Sequence, residues 1–167
     1  MQLSKHFSLS EFERSATATK HGIDNRVPWQ YIPALQQLCK EILEPLREFI
    51  NSSTPPHKGE KERVLLINSG YRCPLLNVKI GGVYASQHTL GEAADIRLPV
   101  AKHTEQSDGE AHTDMAVAYR WLDFLEHHTD FDQLILEHSH GEYWLHVCCR
   151  QNKRKNRHQV IRNMQKK

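Results

Sequence analysis

Residues 86–95 of the chain read SQHTLGEAAD, with His88 and Asp95 seven positions apart and Gly91 between them. A histidine in a turn and an aspartate on a strand can bind the same ion only where the chain doubles back between them. Gly91 permits the backbone angles of such a reversal. The two alanines before Asp95 leave room beside the site. The spacing therefore predicts that His88 and Asp95 bind one metal ion, the alternative being two side chains without a shared partner.

The third metal ligand is expected from a later strand, because catalytic zinc usually has three protein ligands and a water molecule. In residues 142–149, EYWLHVCC, successive side chains point to opposite faces. One face is apolar and should contact the core, and the other is mixed: the first carries Tyr143, Leu145 and Val147, and the second carries Trp144, His146 and Cys148. This alternation favours His146. The alternatives are His138 and His140, which lie in a predicted hairpin loop, and Cys148, which we interpret as a half-buried thiol.

Hydrolysis at such a site also requires a base, and two glutamates flank the predicted hairpin. Glu137 ends residues 131–137, FDQLILE, a predicted strand that should pair with the strand of His146. That pairing would bring the Glu137 carboxylate beside the metal, where it can accept a proton from water and pass it to a leaving amine. Glu142 is the alternative, but its position near the hairpin tip is typical of a solvated turn residue. The placement favours Glu137.

Two further side chains are candidates for contact with a substrate. Arg72, in NSGYRCP, follows a predicted strand and a glycine, and a guanidinium there suits polarisation of a carbonyl oxygen or binding of a carboxylate. A surface ion pair is the alternative for Arg72. Trp144 is expected either to form a wall of the substrate cleft or to belong to the core.

The remaining pattern predicts an α+β domain with a small, largely antiparallel sheet and helices against it. Residues 70–91 are expected to be mostly loop, with a turn at Gly81–Gly82, and Pro45 should kink or interrupt a helix. Apolar periodicity predicts helices over residues 33–50 and 115–128, and strands over residues 63–69, 92–99, 131–137 and 142–149.

The length and charge of the chain limit its organisation. The 167 residues suit one compact domain over residues 1–150, of which residues 1–33 form an N-terminal segment, followed by a basic tail over residues 151–167 that is expected to be solvated. Lys and Arg outnumber Asp and Glu only 22 to 20, so no nucleic-acid partner is expected. No apolar run is long enough for a membrane span or a signal peptide, which predicts a cytoplasmic protein with reduced cysteines.

Several of these motifs occur together in one known family. INSGYRCPLLNVKIGGVYASQHTLGEAADI and WLHV resemble the zinc D-alanyl-D-alanine carboxypeptidases, peptidase family M15, and especially their compact bacterial and phage members. The shared pattern has SGYR, then SxHxxGxAxD, then a late WxHV strand. The opening segment also looks like that of this group, so the resemblance covers nearly all of residues 1–150 and leaves the basic tail outside.

The resemblance implies a fold, a cofactor and a substrate class. The fold would be that of the Hedgehog domain and DD-peptidases, with Zn²⁺ on His88, Asp95 and His146 and the family arginine at Arg72. The Hedgehog domain has a similar strand, FD followed by apolar residues and Glu, which supports Glu137. The substrates would be peptidoglycan stem peptides cut next to D-alanine, by a carboxypeptidase or by an endolysin released in a phage context. The alternative is a catalytically silent module of the same zinc fold that binds cell-wall or protein partners.

Overall fold

The computed structural model of the protein describes residues 1–53, 62–100 and 113–165, in which helices pack against one mixed sheet. The α-helices are α1 (Leu9–Glu13), α2 (Ala16–His21), α3 (Ile32–Leu38), α4 (Glu44–Ser53), α5 (Pro74–Lys79) and α6 (Met115–His128). The strands are β1 (Ile67–Ser69), β2 (Ala93–Arg97), β3 (Gln133–Ser139), β4 (Glu142–Cys148) and β5 (Gln159–Gln165). No helix in the described part of the chain has the length and apolar character to cross a membrane.

The sheet has the strand order β1-β2-β4-β3-β5. The pairings of β1 with β2, of β2 with β4 and of β3 with β4 are antiparallel, whereas β5 runs parallel to β3. The prediction of an α+β fold with a largely antiparallel sheet is therefore confirmed. The central position of β4 places each of its residues between a partner on β2 and a partner on β3.

A two-residue turn at His140 and Gly141 joins β3 to β4. Both residues have positive φ angles, 50° and 82°, as in the turns that match the twist of a hairpin. The predicted hairpin is thus present, with HSHG contributing His138 and Ser139 to the end of β3.

The hydrophobic core lies between one face of the sheet and the helices. Alternation along the strands supplies the core side chains of the sheet: Ala94, Ile96, Leu134, Leu136, Leu145 and Val147. The helices contribute Leu35, Leu38, Ile42, Leu46, Leu122 and Leu125 from the other side. The N-terminal segment belongs to the same core through Leu3, Phe7 and Phe12. The opposite face of the sheet is left for polar side chains.

The structure differs from the sequence prediction at several elements. The predicted interruption at Pro45 is present, but as a π-helical segment, Cys39–Leu43, between α3 and α4, in which the Glu44 amide donates to the Cys39 carbonyl oxygen five residues back. Helix α5 lies within the predicted loop of residues 70–91, and α2 was not predicted. Strand β1 is shorter than residues 63–69 and begins at Ile67. These short elements have too few residues for a clear apolar period.

The basic segment after Arg150 also differs from the solvated tail expected from its charge. Residues Gln159–Gln165 form β5 beside β3, and Lys153–Lys155 form a 3₁₀ turn. The Gln159 amide donates to the Asp132 carbonyl oxygen at 3.0 Å, which starts the pairing. β5 is an edge strand without a regular alternation of burial, since Val160 and Ile161 are both partly buried and Arg162 and Asn163 are both exposed, so the sequence pattern gave no signal of it.

Candidate metal centre

Three elements bring the candidate ligands together on the polar face of the sheet. His88 lies in a 3₁₀ turn, Gln87–Leu90, that leads into β2. Asp95 on β2 is directly opposite His146 on β4. All three side chains are buried, with exposed fractions of 3%, 6% and 8%. Within residues 1–53, 62–100 and 113–165, they form the one group of three or more His, Cys, Asp or Glu side chains placed to hold a metal ion.

The three ligand atoms form a nearly equilateral triangle. His88 Nε2 is 3.2 Å from Asp95 Oδ1, His146 Nδ1 is 2.9 Å from the same oxygen, and the two nitrogens are 3.3 Å apart. Ligands about 2.0 Å from a tetrahedral zinc ion are separated by roughly 3.3 Å, since tetrahedral bonds diverge by about 109°. The donor set and its spacing therefore fit zinc with a fourth position left for another ligand.

The tautomer of His88 is set by a backbone contact. Its Nδ1 donates to the Gly70 carbonyl oxygen at 2.7 Å, and because a carbonyl only accepts, the lone pair of the neutral ring lies on Nε2. This is the usual orientation of a histidine metal ligand. Gly70 can pack against α1 because it lacks a side chain, since a Cβ there would lie 2.5 Å from Phe12 Cα. Gly91 closes the turn with a φ of +69°, as expected from its sequence position.

Arg72 holds the second oxygen of the metal-binding carboxylate. Its Nη2 donates to Asp95 Oδ2 while its Nε donates to Ser69 Oγ at 2.8 Å. Its backbone amide also donates to the His88 carbonyl oxygen at 3.2 Å. Arg72 therefore lies beside the candidate metal centre, where it contacts Asp95, Ser69 and His88. Ser69 and Gly70 were missed by the sequence analysis, although both stand in the SGYR motif that drew attention to Arg72.

The protonation states of the buried groups also suit metal binding. Burial lowers the pKa of His88, which keeps its imidazole neutral. Burial alone would raise the pKa of the Asp95 carboxyl, but the adjacent His88 and His146 lower it well below its usual range. A neutral imidazole and an ionised carboxylate are the forms that coordinate a metal ion.

Glu137 and Trp144 form a pair next to the three candidate ligands. They are opposite each other on β3 and β4, and Trp144 Nε1 donates to Glu137 Oε2 at 2.8 Å. Glu137 is 3% exposed. Because residues two apart on a strand share a face and are roughly 7 Å apart, Trp144 and its partner Glu137 lie one step along the sheet from His146. Trp144 is partly buried and orients Glu137, rather than forming part of the core cluster.

Comparison with known families places the chain in one of them. A family model described as peptidase M15 matches residues 5–140, most of the chain. The chain belongs to the peptidase M15 family. M15 peptidases are generally zinc-dependent, so family membership and the His/Asp/His group together support a zinc-type metallopeptidase. No curated protein matches the chain.

The family match ends before β4. It covers Arg72, His88, Asp95 and Glu137, whereas Trp144 and His146 follow its last matched residue. Beyond the matched residues, the register of β4 against β2 places His146 directly opposite Asp95.

The other candidate ligands and the competing glutamate lie elsewhere. His138 stacks on Tyr143 with ring centroids 4.9 Å apart, and His140 is in the hairpin turn. Glu142 is exposed and pairs with Ser139, four residues from His146 and roughly 13 Å along the strand. None of the three belongs to the group that can hold a metal ion among the described residues.

Cys148 shares the face of His146 but does not belong to the group of candidate ligands found among the described residues. Its Sγ is 3.1 Å from Gln87 Oε1 and 3.4 Å from the Gln133 carbonyl oxygen. Burial raises the pKa of this thiol, so it stays protonated, and a protonated thiol is a poor metal ligand. The side chain is completely buried, more than the half-buried thiol that the sequence suggested.

Proposed function

We propose that the protein hydrolyses peptidoglycan stem peptides at bonds next to D-alanine, with a zinc ion held by His88, Asp95 and His146. The observation that carries the proposal is the triangle of ligand atoms, with sides of 2.9–3.3 Å, in a chain of the M15 family. The substrate class rests on the resemblance of the SGYR, SxHxxGxAxD and WxHV motifs to D-alanyl-D-alanine carboxypeptidases. The same resemblance supports assigning the sheet to the Hedgehog/DD-peptidase fold.

The metal ion and the residues around it have different roles in hydrolysis. When bound, zinc supplies Lewis-acid activation of water and of the scissile carbonyl group. Glu137 accepts the proton of the attacking water and then donates it to the leaving amine. The 2.8 Å bond from Trp144 Nε1 to Glu137 Oε2 fixes the orientation of that carboxylate on the rigid β3-β4 hairpin.

Arg72 acts in this proposal by holding the metal-binding carboxylate. Its bond to Asp95 Oδ2 leaves Asp95 Oδ1 directed at the two imidazoles. The sequence analysis gave Arg72 a different role, direct contact with a substrate carbonyl or carboxylate. The first role predicts that substitution of Arg72 weakens metal binding, and the second predicts that it lowers turnover alone.

The test is mass spectrometry of defined muropeptides after incubation with zinc-loaded protein. Wild-type protein should release D-alanine or cut a bond adjacent to it. Glu137→Gln keeps the size and an oxygen acceptor for Trp144, and should bind zinc normally while losing hydrolysis by about a hundredfold or more. Glu142→Gln, a matched substitution on the same hairpin, should keep the wild-type rate.

Each contrary outcome removes a defined part of the proposal. Full activity of Glu137→Gln together with loss in Glu142→Gln would transfer the role of base to Glu142. Stoichiometric zinc without cleavage of any muropeptide would refute the peptidase and favour a zinc-fold binding module.

A further inference from the structure

A second polar cluster, outside the candidate metal centre, surrounds Asp132. This carboxylate stands between Phe131 and the first residue of β3, and its exposed fraction is 0%. An ionised carboxylate in such a place is stable only when charged partners and hydrogen bonds satisfy it. Its backbone is fixed as well, because the Asp132 amide donates to the Cys148 carbonyl oxygen at 2.8 Å.

The partners of Asp132 come from the basic segment after β4. Arg157 binds the carboxylate with two nitrogens, Nε to Oδ1 at 3.0 Å and Nη2 to Oδ2 at 2.6 Å, and its backbone amide adds a bond to Oδ1 at 2.9 Å. Arg150 Nε donates to Oδ1 at 2.9 Å. Arg157, which the sequence placed in a solvated tail, therefore neutralises a buried carboxylate together with Arg150.

A further partner of Asp132, Gln87, connects the cluster to the metal centre. Gln87 Nε2 donates to Asp132 Oδ2 at 3.0 Å, and Gln87 Oε1 lies 3.5 Å from Arg157 Nη2. Gln87 is the first residue of the 3₁₀ turn, and His88 follows it directly. The position of the Gln87 side chain therefore restricts the backbone from which the His88 imidazole projects.

The turn is restrained on each side, and on the side of Asp132 the Gln87 side chain also contacts the Cys148 thiol, with Oε1 3.1 Å from Sγ. Its other end is fixed by the Gly91 and Glu92 amides, which bond back to the Gln87 carbonyl oxygen. The opposite side is fixed by the contacts of His88 with Gly70 and Arg72. Gln87 is the side chain of the turn that reaches the cluster around Asp132.

We propose that Arg157, Asp132 and Gln87 form a clamp that positions His88 for metal binding, which makes Arg157 and Asp132 positioning residues. The inference rests on the metal centre of the proposed function. It gives the segment after Arg150 a role in that centre, in place of the solvated tail expected from its charge. A clamp of this kind acts on ligand geometry, and outer contacts of a metal ligand typically change metal affinity by about 10–100-fold.

The chain offers a matched control for Arg157. Arg162 lies in the same basic segment, has the same side-chain exposure of 46%, and also forms a paired contact with carboxylates. Its partners, Asp123 and Glu126, are on α6 and are themselves partly exposed. Arg162→Ala therefore removes an equivalent surface arginine without touching the clamp.

The experiment measures the metal centre directly, without hydrolysis. Full-length protein is loaded with Co²⁺, whose visible absorption reports coordination geometry, and zinc affinity is measured by competition with a chelator. Arg157→Ala and Gln87→Ala should each weaken zinc binding by about tenfold and change the Co²⁺ spectrum. Arg162→Ala should change zinc affinity by less than about twofold and leave the spectrum unchanged, since it lies outside the clamp.

Gln87→Ala keeps the test valid if Arg157→Ala fails to fold, because it leaves both arginines on Asp132. A normal Co²⁺ spectrum and zinc affinity in Gln87→Ala would overturn the clamp and leave Asp132 with a purely structural role. Failure of wild-type protein to bind either metal would instead refute the metal centre itself, and with it both proposals.

Discussion

Replacement of Arg72 by alanine separates two roles for this residue. In the structure its guanidinium bonds to Asp95 Oδ2 and to Ser69, whereas the sequence pattern suggested contact with a substrate. If the structural contacts define its role, Arg72→Ala acts first on the metal centre. If the substrate contact defines it, the same substitution acts on turnover alone.

The magnitude follows from the burial of the pair. The side chains of Arg72 and Asp95 are 14% and 8% exposed. Removal of one partner from a buried ion pair costs about 3–5 kcal/mol. Because Arg72 is partly exposed, we expect Arg72→Ala to lower the unfolding free energy by about 3 kcal/mol, the lower end of this range. The freed Asp95 carboxylate should also lose its orientation, which predicts zinc binding weaker by about 10–100-fold.

Two assays measure these effects on one preparation. Urea unfolding of the metal-free protein gives the change in unfolding free energy, and chelator competition gives the zinc affinity. Arg97→Ala is the matched control, because Arg97 lies two residues from Asp95 on the same strand but donates to Asn68 at 3.1 Å. Its loss should change the unfolding free energy by less than about 0.5 kcal/mol.

One pattern of results would refute this reasoning. If Arg72→Ala binds zinc as tightly as wild type, unfolds at the same urea concentration and loses only kcat, then Arg72 acts on the substrate and its bond to Asp95 is incidental.

Three further predictions test the surroundings of the site. Gly70→Ala should lower the unfolding free energy by about 1–3 kcal/mol in urea, because its Cβ would overlap the backbone of α1; unchanged stability would contradict that close approach. Burial acts to raise the pKa of Asp132, but hydrogen bonds from its arginine partners lower it below the ordinary 3.8. Its stabilisation is therefore present above the unfolded-state pKa and is lost as the pH falls from about 5 towards the lower folded-state pKa. Asp132→Asn should flatten this acid limb of the stability curve, and an unchanged limb would argue against the ion pairs. Burial raises the pKa of Cys39 to about 12, so iodoacetamide should modify the partly exposed Cys73 first in native protein; mass spectrometry showing equal rates would contradict the burial of Cys39.

The three candidate ligands could be selected from sequence because each has a local signal. His88 and Asp95 are tied by a short spacing around Gly91, and His146 follows from the two-residue period of an apolar strand. The structure brings the three together through the antiparallel register that sets Asp95 against His146. Register depends on the whole sheet, so the sequence predicted a shared metal ion for these two residues but not the pairing of their strands.

The contacts that orient the ligands could not be predicted in the same way. The Gly70 carbonyl oxygen accepts from His88, and Gly70 also packs against Phe12 on α1, a contact between residues that are distant in sequence. The ion pair of Arg72 with Asp95 likewise joins residues whose partners are decided by packing. For Arg157, charge alone favoured solvent, and only the fold shows the buried carboxylate that it neutralises.

The central claim is tested most directly by anomalous diffraction at the zinc absorption edge from crystals of zinc-loaded protein. We predict one strong peak within about 2.0–2.2 Å of His88 Nε2, Asp95 Oδ1 and His146 Nδ1, with no sulfur ligand. A peak at His138 and His140, or zinc bound by Cys148, would contradict the metal centre described above.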